Sequence, residues 1–369
     1  MQVTAAVLEE YHRPLVVQEL EIDEPRAGEV LVSMVASGVC HTDVIARDQD
    51  LPFPVPGVLG HEGAGVVEAV GEGVTKVSPG DKVVIGWPWC GGCRNCLAGK
   101  QRYCAQLGPL VAGGGRPDGT PALRRPDGTP VHSHFFGQSS FATRSITWER
   151  SVVKVADDAP IELLGPLACG LSTGAGAVFN ALSPEAGSSI AIFGTGAVGL
   201  SALLAARERG CTRIIGIDRV PGRLSLATAF GATDTIDASS TDPVGAIREL
   251  TGGAGVDFSL ECTGNVAVLR QAVDALAMPG VCGVIGGSPA GAEFTLDHFT
   301  VLWGRQVRGI LGGESQSEKL IPALIDLQRL GRFPFDRMVE YFTLDEVNEA
   351  MDASARGEVL KPVLRMASA

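Results

Sequence analysis

Four cysteines that could bind one metal ion lie in a single short stretch of the chain. Cys90, Cys93, Cys96 and Cys104 have the spacing C-x2-C-x2-C-x7-C. Four thiolates this close in sequence can surround a tetrahedral ion, and structural zinc prefers such closed all-sulfur sites. An iron–sulfur run has a shorter last spacing and a proline after its final cysteine, whereas Ala105 stands here. The stretch therefore predicts a structural zinc lobe near residues 90–104, with no open position for catalysis.

Three further stretches carry side chains that ligate metals or move protons, namely Cys40-His41-Thr42-Asp43, His61-Glu62 and Cys169. The proline-rich residues 51–57 lead into the His-Glu pair, and a rigid loop of this kind can deliver ligands. Each stretch also has an ordinary structural explanation, because lone thiols and histidines are often buried packing residues. Local spacing leaves the choice open for all three.

A glycine-rich turn follows the short apolar run of residues 189–193, which is long enough for one buried strand. The turn places Gly194, Gly196 and Gly199 in the pattern G-x-G-x-x-G, and a run of helix formers follows it. In this context the first glycine permits the turn, the second lets a pyrophosphate approach, and the third allows close packing. A second apolar run ends at Asp218, whose carboxylate can accept hydrogen bonds from ribose hydroxyls. The pattern predicts a dinucleotide site; the alternative is a glycine turn without a ligand.

These residues need two kinds of scaffold. The first part of the chain is rich in short strand-like runs, whereas residues 185–310 alternate apolar runs with helical patterns, which predicts a doubly wound parallel sheet. Because ligands bind beyond the carboxyl ends of parallel strands, Thr263 and Gly286 are candidate cofactor walls. A helix is expected over residues 266–277, ended by Pro279. The loop of residues 108–134, with two copies of Arg-Pro-Asp-Gly-Thr-Pro, is expected to run over the surface.

Composition narrows the classes of partner. The 369 residues suffice for two domains with separate cores. A formal charge of -12 argues against nucleic acid and anionic membranes as partners. No signal peptide or membrane-spanning run is apparent, so we expect a cytoplasmic protein whose nine cysteines stay reduced.

Taken together and in this order, the motifs resemble the zinc-dependent medium-chain alcohol dehydrogenases over essentially the whole chain. Four stretches resemble the aryl (benzyl) and allylic-terpenoid members most, namely residues 40–43, 60–63, 135–142 and 165–170. The resemblance implies an α/β protein with a β-rich GroES-like catalytic domain over residues 1–170. It implies an NAD-binding Rossmann domain over residues 171–310, and a return to the catalytic domain over residues 311–369.

The resemblance also implies a second, catalytic zinc on Cys40, His61 and Cys169, which makes two zinc ions per chain. Three protein ligands leave one position open, as catalytic zinc requires. Glu62 would lie close behind the metal, and Asp43 would hydrogen-bond the other ring nitrogen of His61. Zinc would lower the pKa of the alcohol hydroxyl, Thr42 would take its proton, and hydride would pass to the nicotinamide.

Cofactor-binding residues follow from the same resemblance, namely His41, Thr173, Gly194, Gly196, Val198, Gly199, Asp218, Arg223, Thr263, Gly286 and Lys361. His41 and Lys361 would contact the pyrophosphate. Many relatives carry a proton-relaying histidine where this chain has Ile45. The relay from Thr42 must therefore end at the cofactor ribose and water, or use another base.

The expected reaction is reversible oxidation of a primary aromatic or allylic alcohol to its aldehyde, with NAD favoured because Asp218 would repel a 2′-phosphate. Trp87 and Trp89 could line an apolar pocket. The alternatives are a dehydrogenase for thiol adducts of the formaldehyde type or for short aliphatic alcohols and, outside enzymes, a dinucleotide-sensing binder. A homodimer or homotetramer is expected, with residues 301–311 as its seam.

Overall fold

The computed structural model describes residues 1–366, so the last three residues of the predicted returning segment lie outside it. Contacts divide the chain into two compact units. The first unit contains residues 1–169, 316–326 and the chain from residue 335 onward, and the second contains residues 170–315 and 327–334. Each unit has its own sheets, and no helix of the described chain is long and apolar enough to cross a membrane.

The first unit is built on two sheets. The strands of the smaller, antiparallel sheet are, in spatial order, Gly57–Val58, Gln2–Leu8, Val16–Ile22, Leu123–Arg124 and Pro130–Val131. The strands of the larger sheet are, in spatial order, Val152–Lys154, Lys82–Ile85, Gly63–Val70, Glu29–Gly38, Lys361–Arg365 and Val339–Thr343, with Arg144–Trp148 also paired to Glu29–Gly38. The strand Glu29–Gly38 is mostly buried because apolar residues fill both of its faces. It therefore lies at the centre of this unit's core.

The second unit contains one parallel sheet of six strands. In spatial order they are Asp234–Asp237, Arg213–Asp218, Ser189–Phe193, Val256–Glu261, Leu276–Val284 and Arg305–Gly309. In chain order this is the arrangement 3-2-1-4-5-6, the strand order of dinucleotide-binding sheets. The predicted α/β fold class, with its doubly wound sheet beside a β-rich part, is confirmed.

Helices connect these strands. The α-helices are His41–Arg47, Arg94–Leu97, Leu107–Ala112, Gly170–Gly176, Ala197–Glu208, Pro221–Phe230, Pro243–Leu250, Val266–Asp274, His298–Leu302, Ser317–Arg329 and Val347–Ala355. Shorter helical turns are Gln101–Tyr103, Phe135–Gly137, Glu149–Ser151, Ile161–Leu163, Gly165–Ala168, Leu311–Glu314, Phe335–Met338 and Leu344–Glu346, and Ala177–Leu182 is π-helical.

Three expectations from the sequence need correction. The helix expected over residues 266–277 ends at Asp274, because buried Leu276 pairs with Val256 and begins the next strand. Residues 311–315 and 327–334 belong to the second unit, although the predicted returning segment includes them. Within that unit, Arg332 forms an ion pair with Glu208.

The loop of residues 108–134 is not only a surface excursion. Its two repeated sequences form the same turn, in which the Arg116 and Arg125 amides donate to the carbonyls of Thr120 and Thr129. The two guanidinium groups differ in their surroundings. Arg116 is buried and donates from Nε to Glu29 Oε1 at 2.7 Å and from Nη2 to Glu29 Oε2 at 3.1 Å. The first turn is therefore pinned to the interior of its unit.

Candidate metal and cofactor sites

The four cysteines of the lobe converge on one point. The sulfur atoms of Cys90, Cys93, Cys96 and Cys104 all lie within 4.8 Å of one another. Backbone amides donate to these sulfurs, from Cys93 to Cys90 Sγ at 3.3 Å and from Ala105 to Cys93 Sγ at 3.4 Å. Such amide donors lower the pKa of Cys93 to about 6. Thiolates held in this way suit a tetrahedral zinc ion, so the residues present fit the expected metal.

A second cluster joins residues that are far apart in sequence. One ligand atom from each of Cys40, His61, Glu62 and Cys169 lies within 4.8 Å of the others. Cys40 precedes the helix His41–Arg47, His61 and Glu62 precede the strand Gly63–Val70, and Cys169 follows the turn Gly165–Ala168. The fold thus brings together the three predicted ligands and the carboxylate predicted to lie near them.

Asp43 fixes the orientation of His61. Its Oδ1 lies 3.0 Å from His61 Nδ1 and accepts a hydrogen bond from the Gly60 amide, while its Oδ2 accepts one from the Cys40 amide. The predicted hydrogen bond is therefore present. Among residues 1–366, the buried His61 Nε2 has no hydrogen-bond partner. A buried nitrogen of this kind, next to two thiols, fits a metal ligand whose other ring nitrogen is held by a carboxylate.

The electrostatics of this cluster also suit a cation. A hydrogen bond from the Cys169 thiol, against burial and with help from Lys361, holds the pKa of Cys40 well below that of an ordinary thiol. The same hydrogen bond and burial raise the pKa of Cys169. Although burial acts to lower it, the pKa of His61 rises to about 10 beside Asp43 and Cys40. Cys40 is thus favoured as a thiolate, and a zinc ion bound here would take the place of the protons on Cys169 and His61.

The side chain of Lys361 points into the protein and not to solvent. Its ammonium is buried and donates to the Val39 carbonyl at 3.0 Å and to Glu62 Oε1 at 2.8 Å. Burial raises the pKa of Glu62 to about 7 even though Lys361 opposes this. The ion pair places Lys361 at the metal cluster, and its expected contact with a pyrophosphate stays a prediction.

Aromatic rings surround His61. Phe136 lies 4.6 Å from the His61 ring, and Phe135 lies 5.6 Å from it (centroid to centroid). Trp87 in turn meets Phe136 at 5.0 Å. We call Trp87, Phe136 and His61 the aromatic series. Trp89 lies apart from these contacts, since its indole N–H donates to the Arg150 carbonyl at 3.2 Å.

The loop that carries these rings is fastened to the strand of His61. Buried Gln138 donates to the carbonyls of His61 at 3.0 Å and Ile85 at 3.1 Å, and its Oε1 accepts from the Gly63 amide at 3.0 Å.

The remaining predicted residues of this region lie on the short helix His41–Arg47. Thr42 Oγ1 is 3.7 Å from Cys40 Sγ, His41 is exposed, and Ile45 is half-buried.

In the second unit, the three fingerprint glycines have different surroundings. Gly194 has a φ of +93°, and a Cβ on Gly199 would lie 1.9 Å from the Gly194 carbonyl oxygen, so the chain itself requires glycine at both. A Cβ on Gly196 would meet nothing within 4 Å. The chain leaves open space beside the middle glycine, at the beginning of the helix Ala197–Glu208 and next to Val198. This cradle fits a pyrophosphate at a helix N-terminus.

Asp218 ends the neighbouring strand and is held by several donors. Its Oδ2 accepts from the Thr195 amide at 2.7 Å, and its Oδ1 accepts from the Arg219 amide at 2.8 Å. Arg223 Nη1 lies 3.8 Å from Asp218 Oδ2. The carboxylate is therefore fixed at the strand end, where the sequence analysis expects the ribose.

Two further loops of this unit share one buried carboxylate. Glu261 Oε1 accepts from the amides of Thr263 at 2.6 Å and Gly264 at 3.0 Å, and the Gly286 amide donates to the Glu261 carbonyl at 3.1 Å. Glu261 thus holds both predicted cofactor walls, Thr263 and Gly286, although the sequence analysis did not select it. Its signal was an acidic residue at the end of an apolar strand. Thr173 is half-buried in the helix Gly170–Gly176.

Fold and clusters together define a zinc-binding dehydrogenase with a dinucleotide domain, and comparison with known proteins agrees. The alcohol dehydrogenase GroES-like domain matches residues 26–157, and the zinc-binding dehydrogenase family matches residues 197–327. Geraniol dehydrogenase of Castellaniella defragrans is 44% identical over 98% of this chain and 96% of its own. The class-3 alcohol dehydrogenase of Myxine glutinosa is 39% identical over 98% and 97%. The structure of benzyl alcohol dehydrogenase from Acinetobacter calcoaceticus superposes with a TM-score of 0.96, at 44% identity and full coverage of both chains.

The chain belongs to the zinc-dependent medium-chain alcohol dehydrogenases and lies close to their aryl and terpenoid members. It is therefore an oxidoreductase that acts on a small-molecule alcohol, with zinc and a nicotinamide dinucleotide as cofactors.

Proposed function

We propose that this enzyme oxidises a primary aromatic or allylic alcohol to its aldehyde, reversibly, with NAD as the hydride acceptor. The observation that carries this proposal is the contact of Phe135 and Phe136 with His61, which surrounds a metal ligand with flat apolar surface. Phe135 is fully buried, whereas Phe136 keeps 6% of its surface exposed and is the ring that a conjugated substrate would meet. The names of two similar proteins, geraniol dehydrogenase and benzyl alcohol dehydrogenase, support the same substrate class.

The proposed site has a zinc ion on Cys40, His61 and Cys169, and a second one in the cysteine lobe. A catalytic zinc ion acts as a Lewis acid that lowers the pKa of an alcohol hydroxyl. Asp43 keeps His61 in the tautomer that leaves Nε2 free for the metal. Thr42, close to Cys40 Sγ, accepts the proton of the substrate hydroxyl through its own hydroxyl. Ile45 has no proton-accepting atom, so the Thr42 hydroxyl would pass a proton on to the cofactor ribose and water.

Glu62 and Lys361 control charge next to the ligands. Lys361 compensates the buried carboxylate of Glu62, and both oxygen atoms of Glu62 lie within reach of its ammonium. A carboxylate held in this way stays close to the metal without leaving an unpaired buried charge. We assign Glu62 to modulation of metal coordination and Lys361 to holding Glu62, with His41 free to meet an anionic group of the cofactor.

The preference for NAD over NADP rests on Asp218. A 2′-phosphate beside this fixed carboxylate would meet like charge, whereas ribose hydroxyls can donate to it. Arg223 at 3.8 Å moderates this repulsion but also keeps the carboxylate in place. The open side of Gly196 and the half-buried Val198, Thr173 and Gly286 complete the proposed cofactor site in this unit.

A second candidate is oxidation of a thiol adduct. The relatives named class-3 alcohol dehydrogenase and S-(hydroxymethyl)glutathione dehydrogenase favour it, at 39% and 36% identity. Such an adduct carries carboxylates and needs cationic side chains near the metal. The buried rings next to His61 favour the aromatic substrate instead.

Assembly into a homodimer or homotetramer is also proposed. Phe299, Leu302 and Trp303 expose more than half of their surface, beside the edge strand Arg305–Gly309. An apolar surface next to an unpaired strand edge is typical of subunit contacts. A cytoplasmic location is part of the same proposal.

The test is reduction of NAD and NADP by the purified enzyme with benzyl alcohol, geraniol, ethanol and S-(hydroxymethyl)glutathione. The proposal expects the highest kcat/KM with the first two alcohols and NAD, and loss of activity in Cys40→Ala. Highest activity with the glutathione adduct would establish the second candidate. Highest activity with ethanol would keep the reaction and reject the substrate class, and inactivity with all four in zinc-loaded protein would point to a dinucleotide-sensing binder.

A further inference from the structure

Arg102 is a buried cation inside the cysteine lobe. It lies in the turn Gln101–Tyr103, between the ligands Cys96 and Cys104, with only 5% of its surface exposed. Burial lowers its pKa to about 10, so the guanidinium still carries its charge at neutral pH. Keeping a charge out of water is costly unless its contacts compensate for it. The contacts of the Arg102 side chain must therefore explain why its charge is buried.

Its contacts lead directly to the metal-binding histidine. The guanidinium lies over the ring of Trp87, 4.8 Å from its centroid, and Nη2 donates to Ser317 Oγ at 3.0 Å. Trp87 then meets Phe136 edge-on at 5.0 Å, and Phe136 meets His61 at 4.6 Å. The lobe thus reaches the second metal cluster through the aromatic series.

Trp87 is the least firmly held member of the aromatic series, because Gln138 fastens the loop of Phe136 and Asp43 holds His61. Trp87 is half-buried, and its indole Nε1 has no hydrogen-bond partner among residues 1–366. No polar bond of that N–H therefore sets the angle of the indole. Phe136 has a φ of +49°, a left-handed conformation that a residue with a side chain adopts only when its surroundings impose it. A planar cation stacked on Trp87 supplies a directional contact at the outer end of the series.

We propose that Arg102 is a specificity-determining positioning residue, which sets the tilt of Trp87 against Phe136 and thereby the position of the Phe136 ring beside His61. The position of that ring selects for a flat aromatic or allylic group. This assignment rests on the proposed function, and it gives the cysteine lobe a part in substrate selection. Arg102 acts on this ring through Trp87, and its charge also interacts with Cys169.

The chain contains a matched control. Arg365 also lies over an aromatic ring, Tyr341, at 3.6 Å in the same unit, but among residues 1–366 no ring contact leads from Tyr341 to the aromatic series. Arg102→Met and Arg365→Met therefore remove the same kind of stacking contact at two places. Arg102→Lys keeps a cation near Trp87 but loses the planar fork.

The experiment measures kcat and KM for benzyl alcohol and for ethanol in parent, Arg102→Met, Arg102→Lys and Arg365→Met, with zinc content by mass spectrometry. In Arg102→Met, kcat/KM for benzyl alcohol should fall about tenfold, mainly through KM, and that for ethanol less than about twofold. Arg102→Lys should recover part of the loss, and Arg365→Met should match the parent. Zinc content should be equal in all four proteins.

A second readout does not depend on activity. Tryptophan emission should shift between parent and Arg102→Met, and this shift should vanish when both carry Trp87→Leu, because the two side chains act through one contact. If Arg102→Met does not fold, the kinetic comparison and the emission measurement are both made on Arg102→Lys.

Equal losses with both alcohols, a lower zinc content in Arg102→Met, or an emission shift that survives Trp87→Leu would each overturn the assignment. If the parent itself prefers ethanol or the glutathione adduct, the proposed function fails. The emission experiment then still decides whether Arg102 positions Trp87.

Discussion

The two candidate metal clusters of this protein are built in opposite ways. The lobe draws all four cysteines from one stretch, and backbone amides of the same stretch support its sulfurs. The other cluster takes Cys40, His61 and Cys169 from three separate segments and surrounds them with buried charged side chains, among them Asp43 and Lys361. A local cluster thus relies on the main chain, whereas a long-range cluster needs other side chains to orient its ligands and balance their charge.

The largest effects should separate the two clusters by their roles. Cys169→Ser should lower kcat/KM by about 10³-fold or more, because Lewis-acid stabilisation contributes several kcal/mol, with little change in melting temperature. Cys93→Ser should lower the melting temperature, since structural metal binding contributes to folding, while the folded fraction keeps its activity. Activity assays, zinc content and calorimetry of both variants provide the measurement. Parallel losses of activity and stability in both variants would contradict the division of roles.

The two Arg-Pro-Asp-Gly-Thr-Pro turns allow a second comparison, between a buried ion pair and a half-buried one. Arg116→Gln leaves Glu29 buried without its bidentate partner and should destabilise the protein by about 3–5 kcal/mol. Arg125→Gln changes the second copy, where the partner is the half-buried Glu9, and should cost less than about 1 kcal/mol. Urea unfolding of both variants gives the comparison. Similar midpoints for the two would show that burial of the pair is not the deciding factor.

His134, which is buried near Arg116, should make the stability of the protein depend on pH. Burial, with Arg116 nearby, lowers the pKa of His134 to about 4, whereas a histidine in the unfolded chain has a pKa near ~6.5. Between these two pKa values, the unfolded chain binds a proton at this histidine that the folded protein does not bind. The contribution of this residue is therefore complete above pH ~6.5 and falls as the pH drops toward 4, by about 3 kcal/mol in total.

His134→Asn should flatten this part of the stability profile, since asparagine tolerates the φ of +65° at this position. Unfolding midpoints between pH 4 and pH 7 would measure the effect. His12→Asn, at an exposed histidine that also has a positive φ, is the control and should leave the profile unchanged. An unaltered slope in His134→Asn would rule out His134 as its source.

The smallest expected effect concerns the side-chain support of the long-range cluster. Asp43→Asn keeps the size of the side chain but removes the charge that holds His61, and should lower zinc affinity or activity about 10–100-fold. Competition with a chelator, followed by zinc analysis, measures the affinity. The zinc of the lobe should be retained at the same chelator concentration, and its loss in parallel would break the contrast between the clusters.

The same contrast explains what could be read from the sequence. The spacing of Cys90 to Cys104 predicted its own cluster, and the glycine turn followed by Asp218 predicted the parallel sheet, because local chemistry determines both. The union of Cys40, His61 and Cys169 came only from resemblance, since no local spacing encodes it.

Apart from the Asp43–His61 hydrogen bond, which the resemblance implied, the ion pairs between distant segments were missed. Nothing in the sequence near Lys361 or Glu62 indicates their ion pair, and nothing near Arg116 indicates its burial against Glu29. The beginning of the strand Leu276–Val284 was assigned to the preceding helix for a similar reason, because the pairing of Leu276 with Val256 outweighs local helix preference. Side chains that compensate buried charge are chosen by the fold, so their positions appear only once the fold is known.

The strand Lys361–Arg365 has a consequence for biosynthesis. It pairs with Glu29–Gly38 and delivers the ammonium that neutralises Glu62. On the ribosome the four lobe cysteines emerge early and can take up their ion while synthesis continues. The catalytic pocket must wait for residue 361. If the lobe holds structural zinc as proposed, a nascent chain can gain that metal before the strand that completes the proposed active site has been synthesised.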